Sequence, residues 1–283
     1  MSDDAYGATV AKRRLSRRLT ELRRASGHTA NHVCDLLDWG RGKVGRFEAN
    51  HWKRPEMSDI RDLLRVYGVD EEERAELEEL AIRARARPWW REYSDVFENE
   101  FPGFENDATQ IRVCMPLVLP GLLQTRDYTE ALMRVAPKPP AWRLKATEAR
   151  MRRQRILDRT DGAAPRLVAV ITEAALMYRW GTKPERREQI EHLIDIAGHP
   201  NVEIRIQRFA DGAHRGMWSM INIFDFAGDE PSVVYLESDT AIQEVGNQDE
   251  MMIYVEGFIR SRDSALEPAD TTQYLKYLAE QLE

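Results

Sequence analysis

GHTANHVCDLLDWGRGKVGRFE, residues 27–48, is the stretch whose reading decides the fold. It predicts two short helices joined by a tight turn. Thr29 is placed to cap the first, which runs to about Leu37. Ala30, Val33, Cys34 and Leu37 then share one face, the i, i+3, i+4, i+7 spacing of a helix that buries one side. Asp38, Trp39 and Gly40 make the turn, with Trp39 as an apolar plug. The second helix, about Arg41 to Glu48, buries Val44 and Phe47 and turns Arg41, Lys43 and Arg46 outward. A short basic helix braced across a tight turn is the arrangement of a helix-turn-helix whose second helix enters the DNA major groove. Three basic residues on one helix also describe an ordinary solvated face, so spacing alone leaves both readings open.

The flanking residues add a resemblance. From Leu19 to Val69 the chain resembles the XRE-type (Cro- and phage-repressor-like) helix-turn-helix domain, through LTELRRASGHT, the Val33-Cys34 pair, KVGRFE and IRDLLRVYGV. The rest resembles a C-terminal domain of unknown function that accompanies this motif in actinobacterial regulators. There the matching residues are PGLLQTRDYTEALM, RMRRQ, ITEAALMYRWG, HPNVEIRIQRFADGAH, FDF and VVYLES. The resemblance implies sequence-specific DNA binding in transcriptional control and, as in many such regulators, a small partner protein encoded nearby. It also implies an ion pair between Arg23 and Glu48 and a loop after Glu48 that passes the phosphate backbone. The chain departs from the pattern at His28, where an apolar residue is usual, and at Ala30, where a glutamine often contacts DNA. Gly40, Gly42 and Gly45 replace residues that are often polar. A glycine inside a helix costs roughly 1 kcal/mol relative to alanine, but it also lets a helix lie close to a DNA backbone.

The expected DNA contacts follow. Arg41, Lys43 and Arg46 are the base readers, arginine being the commonest partner of guanine O6 and N7, and Gly42 permits close approach. Thr29 and Asn31, with the free N–H groups of their helix, are expected on phosphates, and so are Lys53 and Arg54. Two-fold half-site logic predicts a homodimer on sites roughly 34 Å apart.

With 283 residues, two domains are the natural expectation. The formal net charge of -7 argues against nucleic acid until it is mapped along the chain. Residues 1–67 hold 14 Lys and Arg against 9 Asp and Glu, whereas the remainder holds 27 against 39. Positive charge is therefore concentrated where duplex would be met. Cys34 and Cys114 stand alone in apolar contexts, which argues against a disulfide framework or zinc site and fits a reducing cytosol. The absence of a run of about 18 apolar residues and of a signal-like N-terminus leads to the expectation of a cytoplasmic protein without membrane contact.

The expected organisation is multidomain. Residues 1–70 form an all-α helix-turn-helix domain, 71–110 a helical connector with a dimer surface as a further role, and 111–283 an α+β domain with a small, mostly antiparallel sheet. In the connector, Leu77, Leu80 and Ala81 give a narrow apolar face, whose simpler use is packing on the N-terminal domain. Tyr93, Phe97 and Phe101 share a helical spacing that Pro102-Gly103 stops. Residues 112–119 read as extended, 166–172, 202–209, 220–226 and 233–236 as strands, and the last two as an antiparallel pair. Helices are expected after Pro120 and over 142–159, 184–197, 247–262 and 268–282. The 142–159 helix contains ARMRRQRILDR, whose charge raises the alternative of a second nucleic-acid surface.

No P-loop, GxSxG or HExxH occurs, so neither enzyme, cofactor nor metal site is expected. The most enzyme-like set is Glu173, His214 and Glu237, each near the end of a predicted strand or in a loop. They are candidates for a ligand pocket, although they share no local spacing. The rival to a DNA-binding regulator is a sensor or protein-interaction module. Its C-terminal domain would bind a small-molecule effector or protein, and its DNA binding would be secondary.

Overall fold

A computed structural model describes residues 7–52, 54–160, 164–218, 220–238 and 242–282. The chain divides into two compact units, Met1–Arg91 and Glu92–Glu283. Among the described residues, no helix is long and apolar enough to cross a membrane.

The first unit is all helical: α1 Ala8–Ala25, α2 Ala30–Leu36, α3 Lys43–Glu48, α4 Met57–Val66 and α5 Glu71–Ala84. Leu15 and Leu19 of α1, Val33 and Cys34 of α2, Val44 and Phe47 of α3, and Ile60, Leu63 and Leu64 of α4 form one buried cluster. Leu77 and Ala81 of α5 belong to the same cluster, which corrects the expectation of a connector beginning at 71. The narrow apolar stripe is wide enough to close the domain because alanine at 81 lets α5 approach. The acidic residues of α5 then meet basic ones of the same unit: Glu73 pairs with Arg18, and Glu78 with Arg61 at 2.9 Å.

Two helix ends set the geometry of the turn. Trp39 N–H donates to Cys34 O at 2.8 Å and Asp38 N–H to Asp35 O at 3.3 Å, with Asp38 at φ 52°. This is a Schellman end whose left-handed position carries aspartate rather than the usual glycine, and it drops Trp39 onto the domain core. The end of α3 repeats it, with Asn50 at φ 58° and His51 N–H on Arg46 O at 2.9 Å.

The second unit holds a six-stranded mixed sheet: β1 Gln110–Met115, β2 Arg166–Thr172, β3 Val202–Gln207, β4 Met220–Asp225, β5 Val233–Glu237 and β6 Ile242–Glu244. The order is β3-β2-β1-β4-β5-β6, parallel across β3, β2 and β1 and antiparallel beyond β1. Parallel neighbours require long crossovers. After α6 Phe101–Asp107, which precedes β1, the first crossover, between β1 and β2, contains α7 Arg126–Val135 and α8 Pro140–Gln154; the second contains α9 Glu173–Met177 and α10 Lys183–Ile196. The antiparallel β4–β5 pairing is as expected, with Asn222 opposite Tyr235.

Side-chain alternation divides the sheet into two faces. Cys114, Val168, Val170, Ile221, Ile223 and Val234 pack with Phe258 of α11 Gln248–Asp263 on one side. On the other, Phe101 of α6 Phe101–Asp107 meets Phe224 and Tyr235 edge-on at 5.1 and 5.4 Å. Pro102 thus sits in the first turn of α6 rather than ending a helix. Proline lacks only an N–H that the first turn leaves unused and has φ already near the helical value. A final helix, α12 Pro268–Glu280, closes the unit, and its Thr271 hydroxyl accepts from Ile206 N–H at 3.2 Å.

Candidate nucleic-acid interface

The helix-turn-helix is α2, the turn 37–42 and α3. Thr29 caps α2, its hydroxyl oxygen accepting the His32 N–H at 3.2 Å, and its O–H remains able to donate. Thr29, Asn31 and His32 are exposed. Helix α3 begins at Lys43, two residues later than expected, because Gly42 holds φ 83°, a left-handed conformation that L side chains adopt at a cost. Arg41 therefore lies in the turn ahead of the helix.

The outward residues are not equivalent. Arg41, Arg46 and Arg54 are exposed, and their guanidinium groups make no ion pair or hydrogen bond among the described residues. A Cβ added at Gly42 would lie 3.9 Å from Arg46 Nη1, so Arg46 stands over the start of its own helix. Lys43 is different. Its ammonium donates to Asp59 Oδ1 at 2.7 Å and lies 3.9 Å from the Trp39 ring centroid. It braces α3 against the turn and α4, and in the free protein it does not reach outward as the sequence reading had it. Lys53 lies outside the described residues.

The scaffold beneath this surface is tightly tied. Arg23 of α1 makes a forked pair with Glu48 of α3, including Nη2 to Oε2 at 3.0 Å, and donates through Nη1 to His28 O at 2.7 Å. The hydrogen bonds that Arg23 donates to Glu48 raise its pKa above the ordinary value. The Trp52 indole N–H donates to Ser16 Oγ at 3.0 Å and to Phe47 O at 3.3 Å, and its ring packs 5.8 Å from that of Phe47. The loop after α3 is thus fastened to α1. His32 and Arg24 were absent from the expected contacts; both are exposed, and the reading of residues by helical face passed them over.

In the second unit the three candidate ligand residues are not brought together. Glu173 is a structural acceptor: Phe209 N–H and the Tyr274 hydroxyl each donate to it at 2.7 Å. Burial, reinforced by that bond to Glu173, holds the Tyr274 hydroxyl protonated well above its usual range. His214 lies beside Cys114 and Ser261, around the space where a Cβ on Gly216 would fall. Burial lowers its pKa and pushes that of the Cys114 thiol up to about 12, so this cluster holds no thiolate nucleophile. Glu237 lines a cavity that neither Glu173 nor His214 reaches.

That cavity, of about 780 Å³, lies between the α6 and α8 helices and the sheet face carrying Val113, Met115, Met220, Asn222 and Glu237. Arg150 and Arg153 of the basic run of α8 supply its polar wall. Arg153 is buried and forked onto Glu105 by two bonds of 2.6 Å, and Arg150 donates to Gln124 Oε1 at 2.8 Å. Arg152 pairs instead with Glu92 at 2.7 Å. Gln154 ties the helix to the backbone of Gly121 and Gln124, at 2.9 and 2.7 Å. Sequence reasoning missed this constellation. Its signal is Ala146 and Ala149 on the same face, small residues that leave room for arginines to fold inward.

Residues 14–77 match a family model described as Helix-turn-helix domain. Residues 99–277, more than half the chain, match one described as Domain of unknown function (DUF5753). No curated protein and no solved structure matches.

Proposed function

We propose, from the premise that this chain belongs to the family described as Domain of unknown function (DUF5753) and carries a helix-turn-helix domain ahead of it, that it is a sequence-specific transcriptional regulator of the XRE type, acting as a cytoplasmic homodimer. Arg41, in the turn, and Arg46, on α3, read base edges in the major groove. Thr29, Asn31 and Arg54 hold phosphates, Gly42 lets the backbone come close, and Lys53 is retained as a phosphate contact on sequence grounds. Lys43 serves chiefly as a brace. The observation that carries the reading is the pair of exposed guanidiniums at Arg41, in the turn, and Arg46, on α3, unpartnered among the described residues and set on a helix end pinned by Arg23 and Glu48.

The test is a binding series on duplexes selected from a random pool. Arg41→Ala is expected to cost about 1–3 kcal/mol and to relax preference at one base pair. A loss that is uniform over all sequences would show that Arg41 holds phosphate only. Light scattering at operator-binding concentrations tests the dimer, and a monomer refutes it.

A second reading, a protein-interaction module regulating or replacing DNA binding, draws support from one surface. Met217 and Trp218 are exposed at 57% and 83% beside α11, whose Met252 and Ile253 are exposed at 55% each. Exposed apolar clusters of this kind are used for protein association. The small partner protein implied by the resemblance would dock there. A Trp218→Asp variant that keeps partner capture rejects that placement.

A further inference from the structure

The α8 cavity carries two opposite charges, Arg150 and Glu237, that attract each other across it without forming an ion pair. Arg153 is neutralised by Glu105, but Arg150 has only the neutral Gln124 oxygen at 2.8 Å as a side-chain partner. Gln124 is itself fixed, donating to Leu119 O at 2.6 Å and accepting from the Thr129 hydroxyl at 3.1 Å, so it aims Arg150 rather than compensating it. Burial, with Arg153 alongside, pushes the Arg150 guanidinium down to about 10, against the attraction of Glu237 and Glu105. Across the cavity Glu237, the last residue of β5, makes no side-chain hydrogen bond or ion pair among the described residues. It lies beyond ion-pair distance of Arg150. Asn222, 4% exposed on the same sheet face, has an amide nitrogen without an acceptor. Buried polar groups are ordinarily satisfied; an amide without an acceptor, an arginine without a carboxylate in ion-pair reach and a carboxylate without a hydrogen bond, all around one space, describe an occupant.

The charges decide its class. Arg150 and Arg153 face Glu105, Glu237 and, at the rim, Glu98. An added anion would deepen a negative excess, and a simple cation would leave Arg150 bare. A molecule carrying both charges satisfies both ends. Much of the remaining wall is apolar, with Phe97, Leu122, Leu132, Met133 and Trp142, and Asn99 and Ser238 add polar groups. The volume of about 780 Å³ lies within the range of pockets that enclose small organic ligands.

We propose that this cavity binds a small zwitterion with an apolar body, an apolar amino acid or short peptide with free ends. Its carboxylate meets Arg150 and Asn222, and its ammonium meets Glu237. The proposal rests on the regulatory reading only for its consequence, a change in DNA affinity on occupancy; the binding is measured without DNA. Titration calorimetry on the full-length protein uses four probes: phenylalanine, Leu-Phe, N-acetyl-Leu-Phe and Leu-Phe amide. Saturable binding of a free-ended probe is expected, with each blocked dipeptide weaker by about tenfold or more. Phenylalanine against Leu-Phe identifies the size of the occupant. Glu237→Gln is expected to remove the penalty for N-acetylation, and Arg150→Gln the penalty for the amide, with circular dichroism checking the fold. Glu237→Gln breaks no internal bond, so its result stands even where Arg150→Gln does not fold. Absence of binding by all four probes overturns the proposal. So does a blocked form that binds as tightly as the free one. Neither result touches the DNA reading, which a failed duplex titration overturns separately.

Discussion

Removing either end of the Arg23–Glu48 pair should loosen the reading helix more than any contact on its outer surface. Helix α3 has six residues, too few to hold together without packing. Val44 and Phe47 bury one side, and Glu48 fixes the other. The side chains of Arg23 and Glu48 are only 14% and 15% exposed, so deleting Glu48 leaves a largely buried guanidinium with His28 O as its remaining acceptor. A buried pair broken at one end costs about 3–5 kcal/mol, and the residual exposure puts Glu48→Ala near the bottom of that range, about 3 kcal/mol. Arg23→Ala also loses the His28 bond and should cost somewhat more. The double variant removes the stranded charge, so it should be more stable than the two single losses added together, by about 2 kcal/mol. Urea unfolding of the four proteins closes the cycle. Hydrogen exchange localises it: peptides from residues 8–91 lose protection, and those from 92–282 keep it. A coupling below about 0.5 kcal/mol, or equal loss of protection in both units, refutes the reasoning.

Three other outcomes are expected. Asp59→Asn releases the Lys43 ammonium from its 2.7 Å contact, which should raise affinity for all duplexes and steepen the salt dependence by about one unit of slope; an unchanged slope shows that Lys43 stays on Trp39. Gly42→Ala forces an L side chain to φ 83° and should cost about 1 kcal/mol by thermal melting, with none of that loss if the turn simply reshapes. Burial lowers the pKa values of both His192 and His214. A histidine held neutral in the fold contributes stability that is complete above its unfolded value, near 6.5, and is lost as the pH falls below it, because the unfolded chain then takes up protons that the native state refuses. The second unit should therefore soften between about pH 7 and 5, and His192→Gln should flatten that profile; an unchanged profile assigns the pH dependence elsewhere.

The parts legible in the sequence were those governed by local period. Val33, Cys34, Val44 and Phe47 mark two helices because residues three and four apart must share a face to be buried, and Val202–Gln207 alternates because one side of its strand is wetter. Strand order lay beyond reach. Nothing in LVAVIT distinguishes a parallel neighbour from an antiparallel one, since that depends on where α7, α8 and α10 return the chain. Pro102 misled because a proline both stops helices and starts them, and only the burial of Phe101 and Phe104 on Phe224, Phe226 and Tyr235 selects the second role.

The arginines show why site reading is harder than fold reading. Arg41 and Arg46, Arg18 and Arg61, Arg150 and Arg153 are the same residue to any count of charge, yet the first pair faces solvent, the second meets the acids of α5, and the third enters the α8 cavity. Their roles are set by the partner each can reach, and those partners stand up to 55 residues away, as Glu73 does from Arg18. Charge mapped along the sequence overstates the positive head for the same reason. Carried through Arg91, the first unit holds 19 basic against 16 acidic residues, because α5 brings its glutamates with it. What favours DNA is therefore not the unit's net charge but which guanidiniums the acids leave alone, and the helix-turn-helix surface is where Arg41, Arg46 and Arg54 escape them.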